Sequence, residues 1–186
     1  MTGWLSGLLL GAWLLLEAVL RRGGEARSWQ GGESDRSTTR LVVTAYVVAS
    51  IAPILLDPPG LGVVRADSRL AWTGVAVGVA GLVLRIGSMR VLGRDYTRSL
   101  RTRDAQIVID RGPYRLVRHP GYLGSILVWA GSRLAVNWIV AAATALGLAL
   151  VYAVRIHAEE RMLLEHFGDA YRSYAARTWR LLPFIW

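Results

Sequence analysis

Apolar residues come in five runs along this chain, at 4–20, 41–56, 70–92, 122–136 and 138–154, with segments rich in arginine, glycine and proline between them. Each run approaches the roughly 20 residues with which a helix crosses about 30 Å of hydrocarbon, and only a structure that satisfies its own backbone groups can stand there. The pattern predicts an all-α, polytopic membrane protein with five transmembrane helices. The last two runs are the shortest, parted only around Asn137, which predicts a tight helical hairpin whose members tilt or cross incompletely. Beyond them, Ile156, Glu160, Leu163, Leu164, Phe167, Tyr171 and Tyr174 fall on one helical stripe, which predicts a cytoplasmic, amphipathic C-terminal helix.

A chain of 186 residues fits a single membrane domain, and 53% hydrophobic against 19% charged residues excludes intrinsic disorder. The sequence holds no cysteine, so disulfides, thiolate nucleophiles and Cys-ligated metals are excluded. All the basic residues are arginines, and the net charge is +9. That charge suits nucleic acid or a membrane surface, and its distribution decides between them. Arg21, Arg22, Arg27, Arg36 and Arg40 follow the first run, seven from Arg94 to Arg118 follow the third, and Arg155, Arg161, Arg172, Arg177 and Arg180 lie in the tail. The other two connections hold little beyond Arg65, Arg69 and Arg133. By the positive-inside rule the N-terminus lies outside and the C-terminus in the cytoplasm, and the arginines orient helices in lipid rather than bind nucleic acid. Arg21-Arg22 follows the first run with no positive region ahead of it, the pattern of an anchor rather than a cleaved leader.

Gly3, Gly7 and Gly11, and Gly74, Gly78 and Gly81, have spacings that let helix backbones approach closely in lipid. They make no nucleotide fingerprint, since no strand precedes them and the pattern is not Gly-x-Gly-x-x-Gly. Residues 23–37 read as a polar, Gly-rich loop and 57–60 as a turn. Glu17 and Arg85 lie inside apolar runs, close to their cytoplasmic ends, where side chains that snorkel to the interface are expected.

Two polar segments carry candidate chemistry. In Gly112-Pro113-Tyr114-Arg115-Leu116-Val117-Arg118-His119-Pro120-Gly121-Tyr122, the prolines fix local φ and bias their predecessors away from helix. His119 is thereby held extended where the fourth run begins, beside two tyrosines and the N–H groups of a helix start, a setting for an anionic or aromatic ligand. The second segment is Arg155-Ile156-His157-Ala158-Glu159-Glu160. Arg155 and Glu159 are one turn apart and close enough to pair. Glu160 falls where a leucine is expected, and a carboxylate on a packed face costs several kcal/mol unless a cation meets it, such as an arginine of the third loop or a cationic ligand.

Gly112-Pro113-Tyr114, Arg118-His119-Pro120-x-Tyr122-x-Gly124, Arg155-x-x-x-Glu159-Glu160-x-x-Leu163, Phe167-Gly168-x-x-Tyr171-x-x-Tyr174 and Pro183, in that order, resemble the isoprenylcysteine carboxyl methyltransferase family. The resemblance implies an integral-membrane methyltransferase without a Rossmann domain: residues 1–91 form three N-terminal spans and 92–186 a half that binds S-adenosylmethionine at the cytoplasmic face. It places Gln106, Ile107, Val108 and Ile109 along the cofactor, Tyr114, His119, Pro120 and Tyr122 around it, and Glu159 in contact with it. Arg155 faces the methyl acceptor, with Glu160 as Glu159's partner in the acidic pair. No metal ion is asked for. The expected partners are the methyl donor, membrane lipids and a lipophilic or thiol acceptor, with the carboxylate of a prenylated cysteine as the named one.

The chemistry of these residues is compatible. Displacement at a sulfonium methyl needs alignment and a dry, electrostatically arranged site. Carboxylates and aromatic faces attract cationic groups, and an arginine grips a carboxylate with two parallel hydrogen bonds. A thiol or amine acceptor also needs a base, for which His119, His157 and Glu160 are candidates. Two other activities share parts of the pattern: phospholipid N-methyl transfer, and NADPH-dependent reduction of a sterol or enone in the membrane.

Overall fold

Every one of the five apolar runs is helical in the computed structural model, which describes residues 1–21, 33–56, 60–93 and 108–185. The order is α1 (Thr2–Arg21), α2 (Glu33–Leu56), α3 (Arg69–Leu92), a 3₁₀ turn (Gly112–Arg115), α4 (Pro120–Leu134), α5 (Trp138–Phe167) and α6 (Asp169–Ala176). The described residues form no β-sheet, only isolated bridges between Val63 and Asn137 and between Val117 and Trp179. Two helices, α3 and α5, are long and apolar enough to cross a membrane, while the apolar parts of α1 and α2 are shorter. With 15 residues, α4 is about 22 Å long.

Two boundaries differ from expectation. Helix α2 starts at Glu33, so the polar loop expected over 23–37 gives way to helix well before the apolar run; residues 22–32 lie outside the described residues, as do 57–59 of the expected turn. Helix α5 does not stop with its apolar run at 154 but continues to Phe167. Nothing between them breaks a helix, and Arg, Ala, Glu, Met and Leu favour one. The chain turns at Gly168, whose φ of 53° suits glycine. The expected amphipathic stripe is therefore shared: Ile156 to Phe167 lie on α5, while the buried Tyr171 and Tyr174 lie on α6 beyond the break.

The most extensive packing joins α3 to α4, backbone against backbone. A Cβ on Gly81 would stand 2.7 Å from the Gly124 carbonyl oxygen, and one on Gly131 would stand 2.5 Å from the Gly78 nitrogen and 2.6 Å from the Gly74 oxygen. The glycines expected to allow close approach do so on α3. Those of α1 do not: among the described residues, a Cβ at Gly3, Gly7 or Gly11 would meet nothing within 4 Å. The α4–α5 hairpin is closed by Asn137, whose side chain accepts from Ile139 N at 3.0 Å and Val140 N at 3.2 Å and donates to Leu61 O at 2.9 Å. Gly62, at φ 74°, is confined there, since its Cβ would sit 2.6 Å from the Asn137 amide oxygen.

Between these layers Trp13, Tyr46 and Trp129 pack with ring centroids 4.6–5.5 Å apart, and the Tyr46 and Tyr152 hydroxyls hydrogen-bond. Three polar contacts cross the apolar layer. Arg133 donates from Nη2 to the Ala49 carbonyl at 2.9 Å. That carbonyl lacks its usual helical donor because Pro53, four residues on, has no N–H. Arg85 and Glu17, for which snorkelling was expected, are instead both largely buried and paired, Arg85 donating from Nε at 3.0 Å and from Nη2 to the same carboxylate oxygen. The third contact runs from Arg85 Nη1 to Gly121 O at 2.8 Å. Desolvation explains the reversal: charges between packed helices must find each other when the interface is out of reach.

Gly131→Leu is expected to lower the thermal midpoint in detergent, losing about 1–3 kcal/mol or more by overpacking, whereas Gly87→Ala, whose added methyl meets open space, leaves it unchanged or raised. In a double-mutant cycle, Arg133→Met is expected to cost clearly less in a Pro53→Ala background, where the restored N–H serves Ala49 O; equal costs in both backgrounds would contradict this account.

Candidate active site

The start of α4 is shaped by its prolines. Pro113 sits in the 3₁₀ turn, Pro120 opens α4, and His119 between them caps the helix with φ −124° and ψ 54°, outside the helical region. The C-terminal tail fixes this segment from the other side: Arg118 N donates to Trp179 O at 2.7 Å, His119 N to Arg180 O at 3.0 Å and Trp179 N to Leu116 O at 3.1 Å. The Tyr174 hydroxyl donates to Tyr114 O at 2.8 Å, and an exposed pair joins Arg177 to Asp110 at 2.6 Å.

Against this frame α5 brings Arg155, Glu159 and Glu160. Its 30 residues make it about 45 Å long, and the acidic pair lies beyond the apolar run, in the part that outreaches about 30 Å of hydrocarbon. The two carboxylates are used differently. Glu160 accepts from Arg118 Nε at 2.7 Å and from Arg180 Nε at 2.8 Å, with His119 Nε2 at 3.3 Å. Burial acts to raise its pKa, but hydrogen bonds from His119, Arg118 and Arg180 outweigh that and hold it at about 2, a stable carboxylate. The Arg118 guanidinium continues to Ala175 O at 2.9 Å and to the Thr178 carbonyl, so the same ionic knot closes the tail over the site.

Glu159, with 26% of its side chain exposed against 13% for Glu160, accepts through Oε2 from the Tyr122 hydroxyl at 2.7 Å and lies 3.7 Å from His119 Nδ1. Its other oxygen has no hydrogen-bond partner among the described residues. Arg155 donates from Nε to the Tyr122 hydroxyl at 3.0 Å. The expected Arg155–Glu159 pair is thus joined through a phenol rather than directly. His119 stacks on Tyr122 (centroids 5.7 Å apart, 10° between planes) and Tyr122 on Tyr152 (4.5 Å, 21°), so one aromatic column descends from the carboxylates into the bundle.

The structure therefore brings together His119, Tyr122, Arg155, Glu159 and Glu160, with buried Pro120 beneath them. Buried Tyr114 is tied to α6, and Val108 and Ile109 are half-buried on the irregular segment before the 3₁₀ turn. Gln106 and Ile107 lie outside the described residues. His157 is exposed and turned to its own helix, with Nδ1 2.6 Å from Ala153 O. Sequence reasoning missed Thr38 and Thr39 of α2, whose hydroxyls accept from Arg155 Nη1 at 3.1 and 3.0 Å. Reading α2 as starting at the apolar run hid them; the absence of a helix breaker through 37–40 was the signal. It also missed Arg180, one more tail arginine in a sequence full of them. Tyr171 is buried with no partner for its hydroxyl among the described residues, and burial together with the Glu160 charge pushes its phenol up.

A carboxylate with one unpartnered oxygen, stacked aromatic rings and a buried arginine, side by side, can hold a cation next to an anion. The isoprenylcysteine carboxyl methyltransferase family profile matches residues 74–165. The probable protein-S-isoprenylcysteine O-methyltransferase of Oryza sativa subsp. indica is 31% identical over 94% of this chain and 96% of its own length. Methanethiol S-methyltransferase 1 of Bradyrhizobium diazoefficiens is 34% identical over 63% of this chain and 44% of its own. Among solved structures, a eukaryotic intramembrane Ras methyltransferase, an isoprenylcysteine carboxyl methyltransferase, superposes with a TM-score of 0.61 at 26% identity, covering 81% of this chain and 53% of that one. This chain is a methyltransferase and belongs to the isoprenylcysteine carboxyl methyltransferase family.

Proposed function

We propose that the chain transfers a methyl group from S-adenosylmethionine to a lipophilic acceptor at the cytoplasmic face of a membrane, the acceptor being best matched by the carboxylate of a prenylated cysteine. The observation that carries this reading is the placement of Glu159 and Arg155 on either side of one phenol, with bonds of 2.7 and 3.0 Å to Tyr122. One position favours a cation and the other an anion, about one helical turn apart along α5.

The donor set fits the proposed cofactor. Glu159, with its outward oxygen, suits the positive groups of S-adenosylmethionine, and the faces of His119 and Tyr122 suit a sulfonium. When bound, the cofactor supplies an electrophilic methyl group. The chain supplies alignment and the exclusion of water: Tyr122 holds Glu159 and Arg155 at a fixed separation, and Thr38 and Thr39 hold Arg155 from α2. A carboxylate acceptor is already a nucleophile, so no base is needed and Arg155 orients it with paired hydrogen bonds. Glu160 acts one step back as a positioning residue, ordering His119 and the tail.

A thiol acceptor is the second reading, favoured by the relative named a methanethiol S-methyltransferase. It needs a proton acceptor. Glu160 is held ionised at about 2 by its cations, and His157 is exposed on its own helix, which leaves His119 for that part.

We further infer five crossings, with the N-terminus outside and residues 92–186 supplying the cofactor half of one membrane domain. The alternating arginine distribution supports this, as do the length of α5 and the gathering of Arg118, His119, Glu160 and Arg180 at one end of the bundle.

Calorimetry on the purified chain should show binding of S-adenosylhomocysteine and not of NADPH. Glu159→Gln should weaken that binding at least tenfold, and Arg155→Met should raise the acceptor KM at least tenfold with S-adenosylhomocysteine affinity within twofold of the parent. NADPH binding in its place would overturn the assignment. Because the chain has no cysteine, accessibility labelling of single-cysteine variants tests topology directly. Leu61→Cys should react with a membrane-impermeant maleimide added outside intact cells and Arg172→Cys only after permeabilisation; the opposite pattern reverses the orientation.

A further inference from the structure

Glu17 and Arg85 take no part in the chemistry above, yet they form a buried ion pair in the layer beneath it. Glu17 belongs to α1, outside the family-matched residues 74–165. Arg85, 6% exposed, divides its guanidinium between two elements: Nε and Nη2 reach one Glu17 carboxylate oxygen, and Nη1 donates to Gly121 O at 2.8 Å. Its carbon Cζ lies 5.8 Å from the Trp13 ring of α1, so that helix meets the guanidinium both at its edge and over its face.

Gly121 sits in the first turn of α4, between Pro120 and Tyr122. That turn is pinned on its other flank by the tail, through the hydrogen bond from His119 N to Arg180 O at 3.0 Å. Arg85 is the matching pin on the side of α1 and α3. The fit is close: a Cβ on Gly121 would stand 3.7 Å from Arg85 Nη1, and one on Gly124 would stand 2.9 Å from Arg85 N and 3.0 Å from its Cβ. A guanidinium buried this deeply stays only where a carboxylate compensates it, so Glu17 fixes Arg85, and Arg85 fixes the turn.

We propose that the Glu17–Arg85 pair is a positioning device for the methyl donor, by which α1 sets the first turn of α4 and with it the rings of His119 and Tyr122. This rests on the donor reading above. Tyr122 also accepts from Arg155, but Arg155 is held separately by Thr38 and Thr39 of α2, whereas His119 and Tyr122 take their placement from the turn, so the pair acts on the donor side more than on the acceptor side.

The experiment uses the full chain in lipid nanodiscs, with S-adenosylhomocysteine titrated by calorimetry, thermal midpoints measured in parallel, and both KM values taken against an amine-blocked S-farnesyl-cysteine. Replacing a buried ion pair by two apolar side chains of similar volume often leaves a fold as stable or more so. The double variant Glu17→Met/Arg85→Met is therefore expected to keep the parent's thermal midpoint within a few degrees. Its S-adenosylhomocysteine affinity should fall about tenfold, its donor KM should rise in step, and its acceptor KM should stay within twofold. Arg85→Lys keeps a charge for Glu17 but has one ammonium where the guanidinium spans two partners; it should lower donor affinity at an unchanged midpoint, and it decides the matter if the double variant does not fold. Parent-like donor affinity in these variants, or donor and acceptor KM rising together, would overturn the positioning role. Absence of S-adenosylhomocysteine binding to the unsubstituted chain would instead sink the donor reading itself.

Discussion

The ionic knot around Glu160 is the constraint on which the site depends. One carboxylate, on the part of α5 past its apolar run, takes Arg118 and His119 from the start of α4 and Arg180 from the tail. These three segments are far apart in sequence, and although Leu181 of the tail joins Ile156 of α5 in one apolar cluster, that packing by itself does not hold the charged side chains beside it. A buried carboxylate with three cationic or donor partners does. Its desolvation is compensated several times over, and two of the partners are in turn committed, Arg118 to the Ala175 and Thr178 carbonyls and His119 to the Tyr122 ring. Because Glu160 is so fully engaged, its neighbour Glu159 remains the carboxylate with an oxygen to offer.

The remaining charges in the apolar layer follow the same accounting of desolvation. Arg133 answers the carbonyl that Pro53 leaves without a donor, and Arg85 answers Glu17 and Gly121 O. Each charged contact ties at least two helices, and each lies where helix packing alone would leave a polar group exposed to lipid. The aromatic column of His119, Tyr122 and Tyr152, continued by the Tyr46–Tyr152 hydrogen bond to Tyr46 and Trp129, fills the centre between them.

Much of this was legible in the sequence, for physical reasons. Apolar runs of helical length announce helices because lipid tolerates few alternatives, and the spacing of Gly74, Gly78 and Gly81 announced the close contact that α3 makes with α4. The order of the polar motifs marked His119, Tyr122, Arg155 and Glu159-Glu160, which the fold does gather. What the sequence hid was partner choice. Glycines at Gly3, Gly7 and Gly11 have the same kind of spacing as those of α3, yet meet nothing, since spacing says a helix can be approached but not by what. Glu17 and Arg85 each read as a side chain reaching for the interface; only their proximity across α1 and α3 makes burial the better solution. Thr38 and Thr39 carried no pattern at all, because a hydroxyl that accepts from a distant arginine leaves no periodic trace.

The glycine contact between α3 and α4 has a consequence for where the bundle can give way. Two backbones already touching cannot slide or spread without losing that contact along its whole length, so this wall of the chamber is stiff. The opposite wall, where α2 meets α5 through hydroxyls and side chains, has atoms that can swing aside at the cost of a rotamer. Any rearrangement that opens the bundle beside the site therefore falls on the softer seam of α2 and α5 and spares the glycine seam.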